Sequence, residues 1–201
     1  MIKLTKLDEE TKIAEIVINY NKIQTPFFSQ KCLEELNKIL KQLEQNKECL
    51  GLIFYNPTKT NFSFGFSNDD MIRISSTKEA RNLSLSVQEI FLKISQLKIP
   101  TAIAVNGKCL GMGLEFFIHC KYRIAADSPD TIFSSNELLN GFIPFGGGTQ
   151  KLPQIIGVQN ALDIFLSNRT VSSKLAVEKG FVHKVYPDYL LLEKAKDCLI
   201  K

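Results

Sequence analysis

Short apolar runs of β type alternate with amphipathic helical patterns along this chain of 201 residues, and that alternation limits the folds open to it. Alternating or continuous apolar residues predict strands at 12–20, 50–56 and 101–105. Apolar residues repeated at helical spacing predict helices at 29–47 and 77–97. A succession of strand, loop and helix is typical of an α/β protein with crossover connections. We therefore predict an α/β fold in a single domain.

Composition argues against several classes of function. The net charge of +4 comes from lysines spread along the chain, so binding to nucleic acid is not expected. The amino terminus lacks the apolar core of a signal peptide, and no apolar run reaches the roughly 18 residues of a membrane span. The five cysteines form no CxxC pair, and neither His119 nor His183 stands at metal-ligand spacing from them. We expect a cytoplasmic protein with reduced thiols, no metal and no membrane span.

The stretch GKCLGMGLEFFIHCKYRIAA, residues 107–126, contains one carboxylate, Glu115, in an otherwise apolar segment. A charge in a buried helix is costly, so its presence calls for a reason. The strand at 101–105 leads into a glycine turn, and a helix is predicted to begin near 111–113. The first N–H groups of a helix have no partner within it and favour a developing negative charge. A tight turn packed against a neighbour explains a lone G-x-G equally, so this motif alone leaves both interpretations open.

A second unusual stretch is FSSNELLNGFIPFGGGTQKLP, residues 133–153. No GK[ST] follows the FGGG run, which argues against a phosphate-binding loop. Glu137 stands among apolar and small residues, as Glu115 does, although it could simply be a carboxylate at a helix start beside Asn136. Two carboxylates that share a site shift each other's pKa, and such coupling suits acid–base chemistry.

With these motifs the chain resembles the enoyl-CoA hydratase/isomerase (crotonase) superfamily over residues 12 to about 198. The resemblance lies in the segments KIPTAIAVNGKCLGMGLEFFIHCKYRIAA, NELLNGFIPFGGGTQKLPQIIGVQNALDIFLSNRTVSSKLAVEKGFVHKVYP and FSFGFSNDD. It implies an α/β crotonase-like (ββα-spiral) core in a single domain over residues 1–201, without the family's usual C-terminal helices, either as a shortened relative or as a fragment of a longer chain. The segment AADSPDTIF (125–133) is similar to the hydratase part of multifunctional enzymes of fatty-acid β-oxidation.

The resemblance implies a substrate and a mechanism. The substrate class is an acyl-CoA thioester, whose carbonyl oxygen the family holds with two backbone N–H groups, here those of Phe66 and Met112. Hydratases of the family use two glutamates, which match Glu115 as the base that activates water and Glu137 as the acid that protonates the α-carbon. CoA is part of the substrate, so no cofactor is implied, and the family's assembly implies a trimer-based homo-oligomer.

We expect the loops at 62–70 and 107–113 to approach each other, with both N–H groups facing one cleft. Several positions in these loops depart from the family's pattern. Phenylalanines flank Gly65, at Phe64 and Phe66, and Met112 follows Gly111 where glycine is common. Phe145 stands where glycine is usual, near the place expected for the attacking water. These side chains leave the backbone donors unchanged but are expected to narrow or reshape the acyl pocket.

Two alternatives to a hydratase remain open at this point. An enoyl-CoA isomerase or another thioester enzyme of the family would need only one of the two glutamates. A non-catalytic acyl-CoA-binding or assembly subunit would need neither, and the phenylalanines around the site suit it.

Overall fold

The computed structural model describes residues 2–18, 26–56 and 61–200. The strands within these ranges are Ile2–Leu7 (β1), Ile13–Ile18 (β2), Gly51–Tyr55 (β3), Thr101–Val105 (β4), Cys109–Leu110 (β5), Tyr122–Ala126 (β6), Ile132–Ser134 (β7), Val171–Ser172 (β8) and Lys184–Tyr186 (β9). The α-helices there are Gln30–Gln45 (α1), Asn68–Ile72 (α2), Thr77–Gln96 (α3), Met112–Phe117 (α4), Gly148–Ile156 (α5), Val158–Ser167 (α6), Ser173–Lys179 (α7) and Leu191–Ile200 (α8). Two 3₁₀ turns lie at Leu138–Asn140 and Asp188–Leu190.

A six-stranded sheet with the order β1-β2-β3-β4-β6-β9 forms the centre of the fold. Strand β1 is antiparallel to β2, and every other neighbouring pair is parallel. A smaller sheet pairs β5 with β7 in parallel and β7 with β8 in antiparallel orientation. The predicted α/β class and its crossover connections are therefore confirmed.

The predicted helices form where their apolar stripes face the sheet. Helix α1 begins after Ser29, whose hydroxyl accepts a hydrogen bond from the N–H of Cys32 at 3.1 Å. Helix α3 begins in the same way after Ser76. Their observed bounds differ from the predicted 29–47 and 77–97 by two residues or fewer. The loop expected at 62–70 ends earlier, because α2 begins at Asn68. Residues 57–60, which precede it, lie outside the described part of the chain.

Strand β2 corrects one interpretation. The alternation at 12–20 is typical of a half-buried strand, yet all six residues of β2 are buried. Residues 19 and 20 lie outside the described part of the chain. Strand β2 lies between β1 and β3, and α8 packs across the face of the sheet that would otherwise be open. The polar residue on that face, Glu15, ion-pairs with Lys196 of α8 at 2.6 Å. Its carboxylate is thus paired rather than solvated.

Strands β2, β3, β4, β6 and β9 of the large sheet contribute residues to two apolar layers, one on each face. The larger layer packs beneath α1, α3 and α4, and it includes Phe54 of β3 and Ile103 of β4. The smaller layer packs beneath α8, and it includes Ile53 and Ala102 of the same strands. None of the helices in residues 2–18, 26–56 and 61–200 is long and apolar enough to cross a membrane.

Candidate active site

The loops that follow β3 and β4 converge because these strands are parallel neighbours and end at the same edge of the sheet. Asn56 and Asn106, directly after the two strands, are joined by two hydrogen bonds of 3.0 and 3.1 Å. Further along, a Cβ built on Gly111 would lie only 3.1 Å from Cα of Gly65. Gly65 and Gly111 have φ angles of 116° and 54°, which favour glycine. The predicted approach of the two loops is confirmed.

Each loop presents one backbone N–H group that the fold does not use. Phe28 bonds to the backbone on both sides of Phe66, through the oxygen of Gly65 and the N–H of Ser67, both at 2.8 Å. Met112 is the first residue of α4, so its N–H has no partner within the helix. Within the described ranges, neither N–H donates a hydrogen bond. Phe66 and Met112 line the same cavity of about 150 Å³.

Asn136 joins the two glycine turns, and sequence reasoning did not identify this role. Its Nδ2 donates to the carbonyl oxygen of Phe64 at 3.1 Å. Its Oδ1 lies against Gly111 so closely that no Cβ would fit there. An asparagine beside a glutamate carries no sequence signal for such a contact, which depends on residues 72 positions away.

Glu115 is 2 % exposed, on a helix in which all six residues are buried. Its Oε1 accepts hydrogen bonds from the N–H groups of Gly146 at 2.9 Å and Gly148 at 2.8 Å. A Cβ on Gly148 would lie 2.8 Å from that oxygen, so only glycine leaves room for the carboxylate. The FGGG run therefore binds a side chain of the protein itself. Oε2 of Glu115 is buried without a partner among the described residues.

Burial raises the pKa of Glu115 to about 8, and the negative charge of Glu137 adds to the rise. The N–H groups of Gly148, Gly146 and Phe145 oppose it, because they stabilise the ionised form. The two carboxylates are thus close enough to interact electrostatically.

Glu137 is 3 % exposed and is arranged in a similar way. The hydroxyl of Ser135 donates to its Oε2 at 2.6 Å, whereas Oε1 has no partner among the described residues. That oxygen faces the turn at Gly111, where a Cβ would lie 3.2 Å away. Burial raises the pKa of Glu137 as well, and the Ser135 hydrogen bond lowers it. Each glutamate therefore has one oxygen held by the protein and one oxygen available.

Aromatic rings form much of the cavity wall. The rings of Phe66 and Phe145 meet edge-on, with centroids 5.5 Å apart, and Phe64 packs against Phe27 at 6.0 Å. Glu137 lines this cavity, but Glu115 is not among its lining residues. The structure therefore brings seven of the eight residues singled out from the sequence to one cavity or its glycine turns and sets Glu115 just outside its wall.

The two histidines lie elsewhere. His119 is 7 % exposed, and its Nδ1 donates to the carbonyl oxygen of Glu115 at 2.7 Å. His183 is exposed and directly precedes β9. No group of three His, Cys, Asp or Glu side chains in the described part of the chain is arranged to hold a metal ion.

Known structures share this architecture. An enoyl-CoA hydratase from Bacillus anthracis is 29% identical, with a TM-score of 0.87 over 98% of this chain and 74% of its own. DspI from Pseudomonas aeruginosa is 24% identical, with a TM-score of 0.88 over 98% of this chain and 72% of its own. An enoyl-CoA hydratase/carnithine racemase from Magnetospirillum magneticum is 18% identical, with a TM-score of 0.88 over the same shares.

The arrangement of sheet, glycine turns and helices is thus the crotonase fold. The model of the enoyl-CoA hydratase/isomerase family matches residues 8–201. The chain belongs to the enoyl-CoA hydratase/isomerase family.

Proposed function

We propose that the chain adds water across the 2,3 double bond of a trans-2-enoyl-CoA and forms a 3-hydroxyacyl-CoA. One observation carries this proposal: two buried glutamates, each with one oxygen fixed and one available, lie next to two converging backbone turns. A hydration needs both a base for water and an acid for carbon, and a pair of interacting carboxyls can supply both.

The thioester oxygen would accept hydrogen bonds from the N–H groups of Phe66 and Met112. As the water oxygen bonds to C3, Glu115 takes a water proton and the π electrons move toward the thioester oxygen. Glu137 then donates a proton to C2, so that one water is consumed and the pair keeps one proton in total. Donors to such an oxyanion are each worth about 3–4 kcal/mol in enzymes where one has been removed.

Burial raises the pKa of both carboxyls, that of Glu115 to about 8, so each holds a proton more readily than an exposed glutamate would. Hydration requires Glu137 to be protonated and Glu115 to be ionised when substrate binds. The N–H groups of Gly146 and Gly148 favour the ionised form of Glu115, as its role as base requires.

A second candidate is an enoyl-CoA isomerase, and one observation favours it. Glu137 lines the cavity whereas Glu115 does not. A single carboxylate could move a proton between C2 and C4 of a bound enoyl chain, with the same two N–H groups holding the enolate oxygen.

We also propose a homo-oligomer in the cytoplasm. Val158, Leu162 and Leu166 follow one face of α6 and are 63%, 44% and 67% exposed. A second copy of the chain would cover this apolar stripe. The predicted role in fatty-acid β-oxidation rests on the proposed reaction.

The test is a pair of assays on the purified chain. Crotonyl-CoA hydration is followed by the loss of enoyl absorbance, and isomerisation of a trans-3-enoyl-CoA by the gain of the same absorbance. Hydration without isomerisation is the expected result. Isomerisation alone would establish the second candidate. Binding of butanoyl-CoA with neither reaction would leave a non-catalytic acyl-CoA-binding subunit.

A further inference from the structure

We propose that the Phe66 side chain limits the length of the acyl chain, by closing the site cavity off from a larger cavity between α1, α2 and α3. This inference rests on the proposed binding of an acyl-CoA thioester at the Phe66 and Met112 N–H groups. It would make the protein selective for short enoyl chains.

Two separate cavities meet at this one residue. The site cavity has a volume of about 150 Å³, and the neighbouring cavity, which we term the helix cavity, has about 430 Å³. Within the described part of the chain, Phe66 is the only residue that lines both. Any chain that extended from the first cavity into the second would therefore have to pass this position.

The Phe66 ring is held firmly in that place. The residue is 5 % exposed, and its ring meets the Phe145 ring edge-on at 5.5 Å. The Phe145 ring in turn contacts the Phe142 ring at 5.9 Å, so three rings form a continuous wall. Hydrogen bonds of Phe28 to the residues on either side of Phe66 fix its backbone. The side chain can therefore be shortened without removing the N–H group proposed to hold the oxyanion.

The volumes indicate the chain length. A cavity of about 150 Å³ accepts a molecule the size of benzene, so the site accommodates acyl groups of up to about six carbons. The helix cavity is lined on its inner side by Leu33, Leu83 and Ile90, of which Leu33 and Ile90 are buried. Three of its charged members, Glu34, Arg73 and Glu79, are exposed and form a rim, whereas Asp70 is half-buried and accepts a hydrogen bond from the N–H of Gln30 at 2.7 Å. An apolar wall with a charged rim suits the end of a longer acyl chain.

The experiment compares chain lengths in the wild type and in Phe66→Ala. Calorimetry measures the affinity for butanoyl-, hexanoyl-, octanoyl- and decanoyl-CoA, and hydration of the matching trans-2-enoyl-CoAs gives kcat/KM. In the wild type, the affinity and kcat/KM should both fall for acyl chains longer than hexanoyl, by about tenfold for each methylene that does not fit. In Phe66→Ala, both should stay level or rise through decanoyl.

Leu83 provides a matched control, because it lines the helix cavity and not the site cavity. Leu83→Trp alone should leave the wild-type length profile unchanged, since the helix cavity is closed off. Combined with Phe66→Ala, it should restore the preference for short chains. Phe66→Leu is a smaller change and should extend the limit on acyl-chain length by a shorter step. It replaces Phe66→Ala if circular dichroism shows that Phe66→Ala does not fold.

The outcomes separate this inference from the proposed reaction. Suppose that Phe66→Ala folds but its acyl-CoA affinity still falls beyond hexanoyl-CoA, as in the wild type. This result would overturn the inference, even if the variant hydrates crotonyl-CoA normally. A wild type that already binds decanoyl-CoA as well as butanoyl-CoA would overturn it too. A shifted binding profile without hydration at any length would support the chain-length limit and contradict only the proposed reaction.

Discussion

At the scale of single residues, Glu115 combines two opposing influences. Burial and the charge of Glu137 favour its protonated form, whereas three N–H groups at the start of α5 favour its ionised form. The balance places its pKa near 8 rather than near 4.5, the ordinary value. A group poised in this range can exchange a proton at neutral pH, as a general acid or base must.

This balance predicts a pH-dependent stability. Below pH 4.5, Glu115 is protonated in both the folded and the unfolded chain. Between pH 4.5 and about 8 only the unfolded chain releases the proton, so the free energy of unfolding falls as pH rises. The loss from this residue is on the order of 5 kcal/mol. Glu115→Gln should remove it, so the variant should gain stability relative to the wild type across this range.

Urea unfolding at several pH values measures this difference. The control is Glu89→Gln, which changes an exposed residue of α3 in the same chemical way. Its stability relative to the wild type should show no trend across the range. A constant offset for Glu115→Gln between pH 4.5 and 8 would contradict the raised pKa.

At the scale of elements, the site depends on two turns that fit together only when both contain glycine. Gly111 has a φ of 54° and faces Gly65 and Asn136 without room for a Cβ. Gly180, which ends α7, also has a positive φ, of 90°, but has open space around it. Alanine at either position incurs a backbone strain of roughly 1–2 kcal/mol. Only at Gly111 would it also push the turns apart.

We therefore expect Gly111→Ala to lower hydration by more than tenfold, because a displaced Met112 N–H no longer meets the thioester oxygen. Gly180→Ala should lower the thermal midpoint but leave kcat unchanged under conditions in which the variant is folded. Enzyme assays together with thermal unfolding of both variants measure this contrast. Equal effects on kcat would show that the crowding at Gly111 is unimportant.

Elements with a strong local pattern were predictable from sequence, and contacts between distant residues were not. Their apolar stripes placed α1 and α3 within two residues of the observed bounds. The burial of Glu15 was not predictable, since it depends on an ion pair with Lys196, 181 positions later. The FGGG run gave no indication that it binds Glu115, since backbone N–H donors carry no side-chain signal. Their apolar surroundings singled out Glu115 and Glu137, and the family resemblance supplied their roles, but the supporting contacts of Asn136 and Ser135 became visible only in the folded chain.

At the scale of the whole molecule, the site opens near a surface that remains strongly apolar. Leu139 and Ile143, which follow Glu137 in the chain, are 70% and 66% exposed, in addition to the stripe on α6. Exposed apolar surface of this extent is typical of an interface. A partner that covered Leu139 and Ile143 would keep bulk water from the segment that carries Glu137 and Phe145.

Leu162→Glu places a charge in the centre of the α6 stripe and should dissociate the proposed oligomer. Gln159→Glu adds the same charge to the same helix outside the stripe and should leave it intact. Analytical ultracentrifugation of both variants and the wild type measures the masses. A monomeric wild type, or an oligomer that Leu162→Glu does not weaken, would contradict the use of this surface.

The central claim is that Glu115 and Glu137 perform acid–base chemistry on a bound enoyl thioester. Its most direct test is the crotonyl-CoA hydration rate of Glu115→Gln, Glu137→Gln and the double variant, with butanoyl-CoA affinity and the unfolding midpoint measured on the same samples. Each single variant should lose about 10²–10⁴-fold in kcat, with butanoyl-CoA affinity and folding retained. The double variant should lose far less in kcat than the product of the two single-variant losses. Rates that fall only in proportion to the folded fraction would contradict the claim and assign both carboxylates to structure.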